Sequence, residues 1–233
     1  MTTTTARRPD AGLLSMAVVL VAAYFVAPRL LLGPGRPGDF PRAFAAFWSS
    51  GGADLPPELQ HLVDYQFHYH LARVIIALPL LAVLVTLTVR LRRFRLAAGV
   101  LALAAAVLLI ANVQGVVSPF GTLLPILASG SAAADSAALL AQVRDQLHNG
   151  ATSPAVAVML GEYVRWHVAK GVLVGLLAVV LAGLSAVAWR RRRRWLSLLA
   201  ATLTVAALVV VAANVTTVAD PVPPFLLLLQ GSR

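Results

Sequence analysis

The sequence predicts an all-α integral membrane protein: five transmembrane helices, an internal tandem repeat whose copies run parallel, and interfacial helices on the outer side. Three observations predict it. Five apolar stretches, at 12–32, 71–89, 96–117, 168–189 and 196–218, each supply the roughly 20 residues a helix needs to cross a hydrocarbon core about 30 Å thick. The arginines gather between these stretches, as Arg90, Arg92, Arg93 and Arg95 and as the run Arg190, Arg191, Arg192, Arg193 and Arg194. The sequence also matches itself at a displacement of 97 residues.

Composition supports the membrane class. With 59 % hydrophobic and 12 % charged residues and a mean hydropathy of +0.83, the chain is far more apolar than a water-soluble domain. Backbone groups in lipid must be bonded internally, so the spans are helices; barrel strands would be shorter and would alternate. A net charge of +10 would suit nucleic acid, but its placement argues against that partner. Basic residues in short loops between spans mark the cytoplasmic side and suit anionic headgroups there, so membrane lipids are the expected partners. A second copy or a partner membrane protein is a further candidate. With Arg7, Arg8 and both arginine loops inside a cell membrane, the N-terminus is cytoplasmic and the C-terminus extracytoplasmic. Every acidic residue except Asp10, and every histidine, then falls outside. Cysteine is absent, which excludes disulfides, thiol catalysis and thiolate metal sites. The Ala-, Val-, Leu- and Arg-rich usage is that expected of a bacterial chain.

In chain order, the first span follows the basic segment Ala6–Asp10 and could pass for a signal peptide. Phe25-Val-Ala27 places a bulky residue at the −3 position and Pro28 would follow the cut, so a retained helix is expected. Asp39–Trp48 concentrates aromatics as an interfacial segment would. Pro57 and Pro154 suit the first turn of a helix and predict outer helices that continue into the second and fourth spans. Pro79 lies inside the second span and predicts a kink. Ser136–His148 reads as an amphipathic helix with Leu139, Leu140, Val143 and Leu147 on one face, stopped by Asn149-Gly150.

The repeat supplies the candidate site. At displacement 97, Tyr69-His70-Leu71-Ala72-Arg73 falls on Trp166-His167-Val168-Ala169-Lys170, and Pro57 falls on Pro154. Beyond the arginine loop the displacement becomes 102, matching Ala111-Asn112-Val113 to Ala213-Asn214-Val215 and Ser118-Pro119 to Asp220-Pro221. Shared apolar bias would not align Pro, His, a base and Asn in order. The units read as 12–90 and 96–189, plus a half unit 196–233, related by an axis along the membrane normal.

Depth can then be counted. Arg73 precedes Arg90 by 17 residues and Asn112 follows Arg95 by 17; Lys170 precedes Arg190 by 20 and Asn214 follows Arg194 by 20. At about 1.5 Å per residue, the four side chains lie roughly 25–30 Å from the loops, near the outer edge of the hydrocarbon. His70 and His167 share a helix face with their bases, one turn farther out. His70, Arg73, Asn112, His167, Lys170 and Asn214 thus form a polar layer with two open readings. In one, the bases snorkel, Tyr69 and Trp166 serve as belt aromatics, and the asparagines bond helix to helix. In the other, ionisable residues within spans mark a site for a carboxylate, a lipid phosphate or a quinone-like oxygen.

No resident cofactor is expected. Two histidines at matching depth could hold a haem, and His61, Asp64 and His68 share a helical face that could bind zinc or copper, though a solvated face explains them as well. No nucleophile motif, phosphate loop or nucleotide fingerprint is present.

At Glu162-Tyr-Val-Arg-Trp-His167-Val-Ala-Lys170 the sequence resembles small helical membrane proteins of the anthrone-oxygenase-like superfamily. That resemblance implies a four-helix bundle and, for some members, cofactor-free oxidation of polycyclic phenols, with Trp166, His167 and Lys170 carried over. The extra span, the tandem organisation and the long outer segments depart from that family. The expected function is an accessory or ligand- and lipid-binding membrane protein. A small oxidoreductase or oxygenase acting on a quinoid or phenolic substrate is the alternative, and a transporter subunit the third.

Overall fold

A backbone amide in hydrocarbon has only other protein groups to bond, and the apolar runs fold accordingly as long helices. The computed structural model describes residues 8–35, 37–128, 136–150 and 153–230, and every regular element among them is helical. The helices are α1 (Arg8–Leu32), α2 (Phe40–Ser50), α3 (Pro57–Arg90), α4 (Arg95–Val117), α5 (Leu124–Leu127), α6 (Ala137–His148), α7 (Pro154–Arg190), α8 (Arg194–Ala219) and α9 (Val222–Gln230). Arg7, used above for orientation, lies outside the described residues.

Five helices, α1, α3, α4, α7 and α8, are long and apolar enough to cross a membrane. Between 11 % and 28 % of the most apolar window of each is buried inside the protein, so most of that surface faces outward. Val18, Leu30, Val100, Val179 and Leu198 are among the side chains left exposed. Apolar surface of this extent is what lipid-facing helices carry. Pro57 and Pro154 open helices that run unbroken to Arg90 and Arg190, as first-turn prolines predict, and α3 continues through Pro79 as one helix. Ser153 caps α7, its Oγ accepting the Val156 N–H at 3.3 Å.

The chain divides into two compact units. The first comprises residues 1–35 and 64–116. Its core joins Ala17 of α1, Leu80, Val83, Leu84 and Leu87 of α3, and Ala98, Ala102 and Ala105 of α4. The alanines form one edge of α4 and let the backbones approach closely; in lipid such packing, rather than exclusion of water, holds helices together. Asp10 lies 3.7 Å from Arg90, an exposed pair of little energetic weight. Beyond α1, Gly33 takes a left-handed φ of 74° and its carbonyl accepts a hydrogen bond from Tyr65 Oη at 3.1 Å.

The second unit comprises residues 36–63 and 117–233. Its main core is a cluster of side chains from short elements: Phe40, Phe44 and Phe47 of α2, Leu59 and Leu62 at the start of α3, Phe120, Leu124 and Leu127, Leu140, Val143 and Leu147 of α6, Val156 and Met159 of α7, and Phe225 and Leu229 of α9. The amphipathic reading of α6 holds, with Leu139 packed at the cluster's margin. The aromatics of α2 have packing partners that the sequence did not reveal. Phe40, Phe44 and Phe47 lie on one helical face and are wholly buried, because Phe120 and the neighbouring leucines cover them. They build a core. Trp48, at the end of that helix, donates its Nε1–H to Gln142 Oε1 at 2.9 Å.

The remaining part of the second unit is the α7–α8 hairpin. Near its turn Ser185 and Ser197 bond reciprocally: each hydroxyl lies 2.9 Å from the other residue's carbonyl, and the two Oγ atoms are 3.1 Å apart.

Candidate functional site

An asparagine inside an apolar helix must find partners, since its amide offers two donors and an acceptor with no water at hand. Asn112 on α4 is 3 % exposed and Asn214 on α8 is 5 % exposed. Each turns Nδ2 back onto the carbonyl four residues earlier: Asn112 to Leu108 at 2.6 Å, and Asn214 to Val210 at 2.7 Å. A carbonyl only accepts, so Nδ2 is the atom facing it and Oδ1 points the other way. Within the first unit Oδ1 of Asn112 lies 3.0 Å from His70 Nδ1; within the second, Oδ1 of Asn214 lies 2.8 Å from His167 Nδ1. In both pairs Nδ1–H must therefore donate, which leaves Nε2 as the uncommitted ring nitrogen.

The pairs join the helices flanking an arginine loop, α3 to α4 and α7 to α8. Along α4 the inward stripe runs Arg95, Ala98, Ala102, Ala105, Leu109 and Asn112; along α8 it runs Ser197, Ala200, Thr204, Ala207, Val211 and Asn214. Each residue of the second stripe stands 102 positions after its counterpart. The loop ends also correspond, for Arg95 Nε donates to the Thr88 carbonyl at 3.2 Å where the second hairpin has Ser197 and Ser185.

The two clamps differ in their surroundings. In the first unit Asn112 Nδ2 also donates to Tyr24 Oη at 2.7 Å, and Tyr24 is only 2 % exposed. The Arg73 guanidinium lies 4.9 Å from the Tyr24 ring centroid and 4.4 Å from that of Tyr69. Tyr69 in turn stacks on Tyr65 at 6.0 Å. Arg73 thus lies against two aromatic rings, and its Nε is buried without a hydrogen-bond partner. Lys170 makes no ring contact, ion pair or hydrogen bond among the described residues of the second unit.

Gly115 completes the first clamp. A Cβ there would lie 2.3 Å from His70 Cγ, so only glycine lets the ring pack against α4. In the second unit the small residue sits on the other helix, where Gly171 faces the Asn214 side chain. Sequence reasoning missed Tyr24, Gly115 and Gln114, whose Nε2 is buried without a partner. A signal for Tyr24 existed, because it and Ser15 are the polar side chains within the apolar run 11–27. It also missed Ser118, wholly buried, whose Oγ donates to the carbonyl and carboxylate of Glu162, while Arg165 binds the other carboxylate oxygen at 2.6 Å.

Among the described residues no three His, Asp or Glu side chains gather to hold an ion. His61, Asp64 and His68 all lie on the single helix α3, and His68 Nδ1 turns back to the Asp64 carbonyl at 2.7 Å. Of the basic residues, Arg90, Arg92 and Arg93 are exposed beside the half-buried Arg95, and Arg93 lies over Phe94 at 5.7 Å. Arg190 to Arg194 are all exposed.

Five spanning-length apolar helices, joined by hairpins with polar clamps, fit a polytopic helical membrane protein. Compared with family models, curated proteins and solved structures, the chain matches none.

Proposed function

We propose that the protein is an accessory, ligand-binding multi-pass protein of the cell membrane, N-terminus inside and C-terminus outside, whose outer polar layer receives an acceptor-rich ligand at Arg73. The observation that carries this reading is the buried, unpartnered Nε of an arginine that lies against Tyr24 and Tyr69. A guanidinium held in that way binds carboxylate or phosphate oxygen, or a quinone-like carbonyl, without first giving up another partner. Tyr24 adds a second donor, since its oxygen accepts from Asn112 and its own O–H has no acceptor among the described residues. The His70–Asn112 pair acts as a clamp that holds α3 and α4 in register around this point, and His167–Asn214 does the same for α7 and α8 within the second unit. Their matched geometry supports an internal duplication whose natural unit is the hairpin: outer helix start, returning span, arginine loop, outgoing span.

Native mass spectrometry of the purified protein tests the reading. The wild type should retain an acidic or quinoid amphiphile that Arg73→Gln loses while Lys170→Gln keeps it. A wild type free of adducts, with Arg73→Gln equally stable, would refute the site. Topology is tested by single cysteines in this Cys-free chain: a residue 148 reactive from the cytoplasm overturns the orientation. A second reading, oxidation of a quinoid or polycyclic phenolic substrate, draws on the Nε2 that each clamp leaves uncommitted. It requires substrate turnover that His167→Ala abolishes in folded protein.

A further inference from the structure

The turn between α7 and α8 carries five consecutive arginines, and the fold leaves all of them unused. Arg192 N–H donates to the Trp189 carbonyl and Arg193 N–H to the Ala188 carbonyl, both at 2.9 Å. This is a Schellman ending, whose left-handed position is normally glycine. Here Arg192 occupies it with φ 56°, the one non-glycine residue of positive φ among those described. A left-handed L-residue is disfavoured roughly tenfold or more against the right-handed form.

The other arginine loop behaves differently. There Arg90 faces Asp10, Arg95 bonds the Thr88 carbonyl and Arg93 lies over Phe94. In the α7–α8 turn no side-chain hydrogen bond or ion pair engages Arg190 to Arg194 among the described residues. Five like charges in one turn repel one another and call for counter-anions. The turn's flanks say where those anions are. Trp189 and Trp195 stand 59 % and 56 % exposed on either side, and Val187, Leu198 and Leu199 continue the exposed apolar surface of the two helices. Exposed tryptophans at the ends of spanning helices mark headgroup depth. A soluble polyanion would have no use for that apolar rim.

We propose that the α7–α8 turn is a binding site for the phosphate of an anionic phospholipid, with Arg191, Arg192 and Arg193 as its cradle and Trp189 and Trp195 as its rim. The left-handed backbone at Arg192 puts a guanidinium where most helix endings have no side chain. This site is independent of the polar layer near Arg73.

The test is native mass spectrometry of detergent-purified protein titrated with phosphatidylglycerol and phosphatidylcholine of identical acyl chains. The wild type should prefer phosphatidylglycerol. Arg192→Gly keeps the turn and relieves its backbone, so it should melt higher yet bind phosphatidylglycerol about fivefold more weakly, the worth of one arginine at a charged surface. The Arg191→Gln, Arg192→Gln, Arg193→Gln triple variant should lose the preference, and the Arg90→Gln, Arg92→Gln, Arg93→Gln triple variant should keep it. Wild-type binding by Arg192→Gly, or equal loss in both triple variants, overturns the proposal. Displacement of the lipid by millimolar inorganic phosphate also overturns it, since the site would then take a free anion.

Discussion

Gly115→Ala puts the first clamp to a quantitative test. A Cβ at this position would stand 2.3, 2.4 and 2.7 Å from Cγ, Cδ2 and Nδ1 of His70. Ordinary carbon contacts begin near ~3.5 Å, so the ring must withdraw by about 1 Å. The Nδ1 to Oδ1 separation, 3.0 Å in the structure, then leaves hydrogen-bonding range. A hydrogen bond between transmembrane helices is worth about 0.6 kcal/mol on average and about 1.7 at most. Leaving Asn112 Oδ1 buried and unpaired adds about 1–2 kcal/mol. Against this, alanine replaces glycine inside a helix with a gain of about 1 kcal/mol. The net expectation is a loss of about 1–2 kcal/mol. Gly161→Ala is the matched control, because a Cβ there meets nothing within 4 Å and only the helical gain remains. Purified variants are compared by denaturant titration or thermal melting in one detergent, and His70→Ala is introduced into both backgrounds. With the ring removed, the alanine at 115 has nothing to strike, so His70→Ala should do little further harm in Gly115→Ala. The reasoning is refuted if Gly115→Ala is as stable as Gly161→Ala, or if His70→Ala costs the same with and without it.

Asn112→Leu should destabilise more than Asn214→Leu by about 0.6 kcal/mol or more, because among the described residues Asn112 bonds both His70 and Tyr24 on other helices and Asn214 bonds His167 alone on another helix. The same melting assay ranks the two, and the opposite order would deny the Tyr24 bond its weight. Ser153→Ala removes the cap of α7 and should lower stability by about 1 kcal/mol, with hydrogen exchange rising first in the amides of Val156 and its neighbours.

How far the sequence could be read depended on where each residue's partner lies. The spans were legible because length and apolarity are local properties. The helix starts at Pro57 and Pro154 and the buried face of α6 were legible for the same reason. The His–Asn pairing was half visible: the matched stretches predicted one depth for all four residues, but which histidine met which asparagine needed the hairpin. The packing of Phe40, Phe44 and Phe47 was not legible because an aromatic face looks alike in an interface and in a core. Their partners, Phe120 and the leucines of α5 and α6, are distant in the sequence. The contacts of Arg73 posed the same difficulty, since Tyr24, far back in α1, comes beside it only in the fold. Periodicity offers little help within α4 and α8, whose apolar residues surround the helix on every side.

The hairpins suggest why the polar residues sit where they do. Leucine, valine and alanine surfaces pack in lipid with little preference for one register over another, so two helices slide and rotate unless something discriminates. Each hairpin has polar contacts at both ends: Arg95 to Thr88 and His70 to Asn112 in the first, Ser185 with Ser197 and His167 to Asn214 in the second. Contacts placed so far apart define translation and rotation together, which accounts for the histidines and asparagines as alignment devices. What alignment does not account for is the base one turn nearer each loop. Lys170 touches no described partner and needs only a route to water, so Lys170→Arg should be neutral. The Arg73 guanidinium lies 4.9 and 4.4 Å from the Tyr24 and Tyr69 ring centroids, and a compact ammonium lacks the planar group that stacks on aromatic faces. Arg73→Lys should therefore keep the fold, with the His70–Asn112 clamp intact, while losing whatever ligand the wild type retains. If the lysine variant retains that ligand undiminished, Arg73 is an anchor like its counterpart, and both halves of the polar layer serve only to hold helices in place.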